Sequence, residues 1–131
     1  MKNVSVYKPP GRTAQVAAFI DGLEPKQREK LLWQIYRLST TPVSGLREPH
    51  YKHFSLEKYR SLYEVRERSK IIIRVIFTIR PEGGVLLLYA FIKRRPRDTM
   101  QALEQSLGIL SDLRSHPEYA VEYKINEEDQ K

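Results

Sequence analysis

Five basic side chains occupy positions in three consecutive predicted strands where they can meet on one face of a sheet. Arg66 and Arg68 are two residues apart in "YEVRERS", so both leave the same face of that strand. Arg74 interrupts the apolar segment "IIIRVIFTIR", and Lys93 and Arg94 close "VLLLYAFIKR". Neighbouring strands lie less than about 5 Å apart, so these side chains can converge. Converging guanidinium groups bind phosphate oxygens bidentately and stabilise charge that develops on a phosphate during cleavage.

The same arginines also have an ordinary structural interpretation. Arg66 and Arg68 can pair with nearby glutamates (Glu64, Glu67 or Glu82), or they can keep an edge strand soluble. The charge distribution favours a ligand, because residues 58–97 contain eleven Lys or Arg and three glutamates, a net charge of +8 in a chain of net charge +7. So dense a basic stretch is typical of proteins that bind nucleic acid or an acidic partner.

The spacing of apolar residues predicts the elements that hold these side chains. "NVSVY" alternates as a short strand, and a helix capped by Thr13 and a second one from Pro25 to about Leu38 make a helical hairpin. Three strands follow, and "YKHFS" before them is a strand or a strand entry. A helix over 97–113 completes the order β-α-α-β-β-β-α. The predicted fold class is α+β: a small, twisted, mostly antiparallel sheet with the hairpin on one face and the last helix near the other.

Apolar periodicity also predicts which side chains point inward. In "IIIRVIFTIR" the odd-numbered residues, such as Val75 and Phe77, form one apolar face and leave Arg74 on the other. "VLLLYAFIK" is apolar on both faces, as in a central strand that is covered twice. Trp33 and Tyr36 are expected to pack in the core or at its rim. The inward positions of the last helix are predicted at Met100, Leu103, Leu107 and Leu110.

Length and composition predict a single domain over residues 1–131, with its core at about 3–113 and a polar, acidic tail at 114–131. In that tail "VEYKI" forms a short strand or stays loose, and the end of the chain is expected to fray. The longest apolar run, Val85 to Ile92, is far shorter than the roughly 20 residues that cross a bilayer. With no cysteine and no apolar stretch of signal-peptide length at the N-terminus, we expect a cytoplasmic protein.

Metal and cofactor sites are not indicated. His50 and His53 are three residues apart in "HYKH", but a metal needs at least one more ligand, and the nearest acids are Glu48 and Glu57. We therefore expect no metal and no cofactor. His53 is either an ordinary surface histidine or a proton donor or acceptor at the rim of the basic site.

Five segments in order, "FIDGL", "LYEVRERS", "IIIRVIFTI", "GGVLLLYAFIKR" and the helix after them, resemble the RelE/HigB-type toxins of bacterial toxin–antitoxin modules. The resemblance is to their phage-associated branch in particular, and it spans about residues 14–110. It implies a twisted antiparallel sheet with a helical hairpin. It also implies an mRNA interferase that cuts messenger RNA on the ribosome without a metal. In that reaction the 2′-hydroxyl attacks the adjacent phosphate and leaves a cyclic phosphate and a 5′-hydroxyl.

The resemblance assigns roles to the basic residues by position. Arg66 and Arg68 match the basic residues of the family's second strand, and Arg74 matches the arginine of its third. Lys93 and Arg94 match the basic pair that closes the fourth, so these five bind and stabilise the phosphate. The surrounding residues expected to contact RNA are Lys52, His53, Lys70, Arg95 and Arg97.

The chain departs from the family pattern at proton-transfer positions. Tyr89 stands where many relatives have histidine, and Met100 lies near the place of a tyrosine in the last helix of RelE-like members. "KRRPRDT" replaces "KKTxKTP", which keeps the charge. Guanidinium hardly deprotonates, so the general base stays open among His53, Glu64 and Tyr89.

The resemblance implies three partners: the ribosome, messenger RNA and a cognate antitoxin. The antitoxin would be a helix-turn-helix DNA-binding protein whose acidic or apolar segment covers the basic face. Two alternatives remain open: a gyrase-directed toxin of the same superfamily that cuts nothing, and a domesticated binding module that keeps only the fold.

Overall fold

The computed structural model describes residues 2–125, in which three helices flank one six-stranded sheet. In chain order the elements are β1 (Val4–Tyr7), α1 (Gln15–Asp21), α2 (Pro25–Thr40), β2 (Tyr51–His53), β3 (Tyr63–Arg68), β4 (Ile72–Ile79), β5 (Val85–Ile92), α3 (Pro96–Ser115) and β6 (Ala120–Glu122). None of the described helices is long and apolar enough to cross a membrane.

The strands lie in the order β2-β3-β4-β5-β1-β6. β1 runs parallel to β5, and every other neighbouring pair is antiparallel. β4 and β5 are joined by the "PEGG" turn, where Gly83 has a φ of +94° that side chains other than glycine rarely adopt. The predicted α+β fold with a mostly antiparallel sheet is confirmed.

Each face of the sheet carries its own apolar core. The α1–α2 hairpin covers Val65, Val75 and Phe77, all fully buried, as the odd-numbered pattern of β4 predicts. α3 covers the opposite face, where Ile76 and Leu88 pack against it. β5 contributes to both cores, which confirms that it is a central strand covered on both sides.

The start of α1 differs from the prediction. The residue before the helix is Ala14, with no side-chain cap, and Thr13 lines a cavity between the β1–α1 loop and α3. Gln15 explains this start, because its side-chain amide donates to the Ala90 carbonyl at 2.7 Å and accepts from the Ala90 amide at 2.9 Å. The side-chain amide thereby forms the hydrogen bonds that a neighbouring strand would form with Ala90, which lies beyond the part of β5 that pairs with β1.

Trp33, expected in the core or at its rim, and Met100, predicted to point inward, are both partly exposed. Trp33 is 45% exposed and stacks on Tyr36, with ring centroids 5.7 Å apart. Met100 is 47% exposed, and its sulfur accepts a hydrogen bond from the Tyr59 hydroxyl at 3.1 Å. The other predicted inward residues of α3 do pack on the sheet: Leu103 is buried, and Leu107 and Leu110 are partly buried against the core of that face. The buried stripe also contains smaller residues that were not predicted. Its buried members are Ala102, Leu103, Ser106, Ile109 and Leu113.

The C-terminal segment joins the sheet. β6 pairs antiparallel with β1, so of the two alternatives for "VEYKI" the short strand is the one observed, with two of its residues within β6. α3 extends to Ser115, two residues beyond the predicted end. Residues 126–131, for which a frayed end was expected, lie outside the described residues.

Candidate nucleic-acid interface

Strand register brings four basic side chains to one region of the α3 face. Arg66 lies directly opposite Arg74 across β3 and β4, and Arg74 lies opposite Phe91 on β5. Lys93, two residues beyond Phe91, continues the pairing through its amide to the Ile72 carbonyl. Lys52 on β2 lies opposite Glu64 on β3. We refer to Lys52, Glu64, Arg66, Arg74 and Lys93 as the arginine cluster.

Glu64 neutralises the repulsion between the two facing arginines. Like charges directly opposite each other on neighbouring strands are destabilising. Glu64 Oε1 accepts a hydrogen bond from Arg66 Nε at 2.8 Å and another from Arg74 Nη1 at 2.7 Å. The Glu64 side chain is fully buried, whereas those of Arg66 and Arg74 are 22% and 12% exposed. The two guanidinium groups are therefore anchored from below and reach solvent at their tips.

The cluster keeps unused hydrogen-bonding capacity. Glu64 Oε2 and Arg74 Nε are buried and have no hydrogen-bond partner within residues 2–125. Arg66 Nη1 also contacts Glu48 at 3.3 Å, but the Glu48 side chain is 68% exposed, so this ion pair is weak and easily exchanged. Both unpaired atoms are buried, and Glu64 Oε2 is an acceptor, so an incoming anion would instead meet the partly exposed guanidinium groups of Arg66 and Arg74.

Of the three glutamates named above as possible partners of the β3 arginines, one forms such an ion pair. Glu64 pairs with both Arg66 and Arg74. Glu67 points to the opposite face, where Gln34 donates to it at 3.3 Å, and Glu82 pairs with Arg80 at 3.6 Å. The cluster keeps four basic side chains against this one buried carboxylate.

Lys93 is electrostatically coupled to the rest of the cluster. Burial lowers the pKa of the Lys93 ammonium, and the positive charges of Arg74, Arg66 and Lys52 lower it further, while Glu64 acts in the opposite direction. A lysine with a lowered pKa has a larger neutral fraction and can accept a proton. This distinguishes Lys93 from the arginines, which stay charged.

The other predicted basic residues lie around the cluster. Arg68 follows Arg66 on the same face and is exposed at the end of β3, and Lys70 is exposed in the next turn. The backbone amides of Arg94 and Arg95 donate to the Asp98 carboxylate at 2.8 and 2.9 Å, which caps α3. Their side chains line a cavity of about 370 Å³ that Tyr89 and Phe91 also border. Arg97 is exposed in the first turn of α3.

The structure separates His53 from the cluster. Because Lys52 opposes Glu64, alternation along β2 turns His53 to the other face. There its ring stacks on Tyr63 at a centroid distance of 4.2 Å, and Nε2 lies 2.6 Å from the Arg60 carbonyl oxygen. Within residues 2–125 no three His, Asp or Glu side chains are grouped as metal ligands would be.

The two remaining candidates for proton transfer differ in access. Tyr89 borders the 370 Å³ cavity and a larger one of about 670 Å³ between the β1–α1 loop and α3. Glu64 is fully buried beneath the arginines, so it does not reach a ligand directly. The bond from Glu64 to Arg74 on the neighbouring strand was not predicted from the sequence. The two-residue spacing of Glu64 and Arg66 did place those two residues on one face of β3.

Comparison with known protein families finds a match over most of the chain. Residues 18–106, more than half of the chain, match the family described as "Phage derived protein Gp49-like (DUF891)". The matched range contains all five residues of the arginine cluster. No curated protein matches the chain.

Proposed function

The chain belongs to the Gp49-like family of phage-derived proteins, and we propose that it is a toxin that cleaves messenger RNA on the ribosome. This family is RelE-like and is associated with the toxins of toxin–antitoxin modules. Membership therefore suggests an antitoxin partner. The finer proposal, ribosome-dependent RNA cleavage of the HigB kind, draws its support from the arginine cluster.

The observation that carries the proposal is the pair of facing arginines held by one buried carboxylate. In the proposed reaction the RNA 2′-oxygen forms a bond to the adjacent phosphorus while the bond from phosphorus to the 5′-oxygen breaks. The products are a 2′,3′-cyclic phosphate and a 5′-hydroxyl. Arg66 and Arg74 donate to the phosphate oxygens, on which negative charge increases during the step. Preorganised donors of this kind need no metal.

Lys93 is the residue we assign to proton transfer. The reaction requires a base for the 2′-hydroxyl proton, and the arginines do not deprotonate. Burial and the charge of Arg74 lower the pKa of Lys93, so its ammonium gives up a proton more readily than that of an ordinary lysine. Water protonates the departing 5′-oxygen. The exposed cations around the cluster then contact the RNA backbone on either side of the cleaved bond: Arg68, Lys70, Arg94, Arg95 and Arg97.

The proposal is tested by mapping 5′ ends of messenger RNA by primer extension after brief induction in bacteria. Wild type is compared with Arg66→Ala/Arg74→Ala and with Arg80→Ala, a matched control at the far end of β4. We expect new ends within translated regions for wild type and for Arg80→Ala, and none for the double variant.

Other outcomes contradict the proposal in distinct ways. Growth arrest with intact messages indicates a protein target such as gyrase. Normal growth with intact messages leaves a binding module with this fold. New ends that persist in the double variant separate cleavage from the arginine cluster.

A further inference from the structure

Glu64 occupies an unusual position for a carboxylate. It is the second residue of β3, between Lys52 on one neighbouring strand and Ile76 on the other, and its side chain is completely buried. Burying an ionised carboxylate is strongly unfavourable unless strong partners compensate. An exposed glutamate would neutralise two surface arginines without that cost, so charge balance alone does not explain the burial.

The contacts of Glu64 fix the two guanidinium groups relative to each other. A single oxygen, Oε1, binds Arg66 through Nε and Arg74 through Nη1. A free arginine side chain samples many rotamers. Anchoring each of them at one nitrogen removes much of that freedom before a ligand arrives, and it leaves other N–H groups of both side chains to donate.

We propose that Glu64 is a positioning residue: it sets the spacing and orientation of Arg66 and Arg74 for one phosphate group and does not contact RNA itself. This inference rests on the proposed function. Catalysis depends on geometry more steeply than binding does, because a misplacement of about 1 Å costs up to about 100-fold in rate. Electrostatic affinity for RNA depends mainly on the number of positive charges.

Because catalysis depends on geometry and affinity depends on charge, Glu64→Gln should affect cleavage and RNA binding differently. The substitution keeps the size of the side chain and removes one negative charge. Affinity for an uncleavable 2′-O-methyl RNA oligonucleotide, measured by fluorescence anisotropy, is expected to stay equal or to rise. Cleavage of a message on translating ribosomes is expected to fall about 10- to 100-fold. Glu82→Gln, which removes an exposed partner of Arg80, is the matched control and leaves cleavage unchanged.

Glu64→Asp keeps the charge and withdraws the carboxylate, so it tests the same idea if Glu64→Gln does not fold. We expect wild-type affinity and reduced cleavage. Parallel loss of affinity and cleavage would overturn the proposal, since Glu64 would then serve binding. Unchanged cleavage in both variants would overturn it as well.

A readout independent of cleavage separates this proposal from the proposed function. In ¹⁵N NMR spectra the Arg66 Nε–H is expected to be protected from solvent exchange in wild type and to lose that protection in Glu64→Gln. If wild-type protein leaves messages intact, the proposed function fails, and the arginine signals still show whether Glu64 holds the guanidinium group. If that protection is the same in both proteins, the positioning role fails.

Discussion

The arginine cluster and the start of α3 are both basic, yet they are built differently. In the cluster one buried carboxylate, Glu64, binds the side chains of arginines from two strands. At the start of α3 Asp98 binds the backbone amides of Arg94 and Arg95, and the Arg95 side chain reaches it only at 3.8 Å. The first arrangement orients guanidinium groups, whereas the second orients the helix and leaves its arginines in solvent.

The difference shows that local charge density does not identify an organised site. Surface ion pairs contribute little because water screens them and long side chains keep their freedom. Breaking a buried pair leaves an uncompensated charge and has a large effect. We therefore expect substitutions in the two regions to differ in magnitude for stability and for cleavage.

The largest expected effect is on stability. Glu64→Ala leaves Arg66 and Arg74 facing each other without a carboxylate, and the free energy of unfolding should fall by about 3–5 kcal/mol. Asp98→Ala removes a partly exposed helix cap, whose partners are backbone amides and not facing charges, and should cost clearly less. Urea denaturation followed by circular dichroism measures both. Equal losses would mean that Glu64 is no more important to the fold than an ordinary helix cap.

The next largest effect is expected on the cleavage rate when the planar guanidinium group of Arg74 is replaced. Arg74→Lys keeps the charge but not the planar set of donors, and cleavage should fall about 100- to 1,000-fold. Arg95→Lys, at the start of α3, should change cleavage by only a few-fold. Initial rates on translating ribosomes measure both variants. If the two substitutions had similar effects, positive charge alone would explain the activity.

A smaller effect concerns the titration of Lys93. Its pKa should lie below the ordinary value of 10.5, because burial and the neighbouring cations disfavour the ammonium. Removing a cation by Arg74→Gln should raise that pKa. NMR titration of the Lys93 ε-methylene measures it directly. As the neutral amine is the proposed base, cleavage by wild type should increase as the pH rises towards this pKa. A pKa that does not change in Arg74→Gln would contradict the coupling.

Much of the fold follows from the sequence because the long strands have strict apolar patterns. The alternation in β4 placed Val75 and Phe77 on one face and Arg74 on the other, and the structure agrees. The unbroken apolar run of β5 indicated burial on both faces. The two-residue spacing of Glu64 and Arg66 in β3 was enough to place them together.

Features that depend on tertiary contacts were harder to predict. The three-residue strand β2 has no pattern that fixes its register, so His53 was expected at the basic site although pairing turns it away. Met100 fits the apolar stripe of α3 by spacing but is exposed, whereas Leu103 in the same stripe is buried. Sequence spacing gives the face of a helix only to within about one residue's rotation.

The most direct test of the central claim is the chemistry of the RNA ends. Purified protein is added to ribosomes translating a defined message, and the fragments are analysed for 5′-hydroxyl and 2′,3′-cyclic phosphate termini, with Arg74→Lys as the comparison. We predict both termini with wild type and almost none with Arg74→Lys. Intact message, or fragments that carry a 5′-phosphate, would contradict cleavage by the arginine cluster.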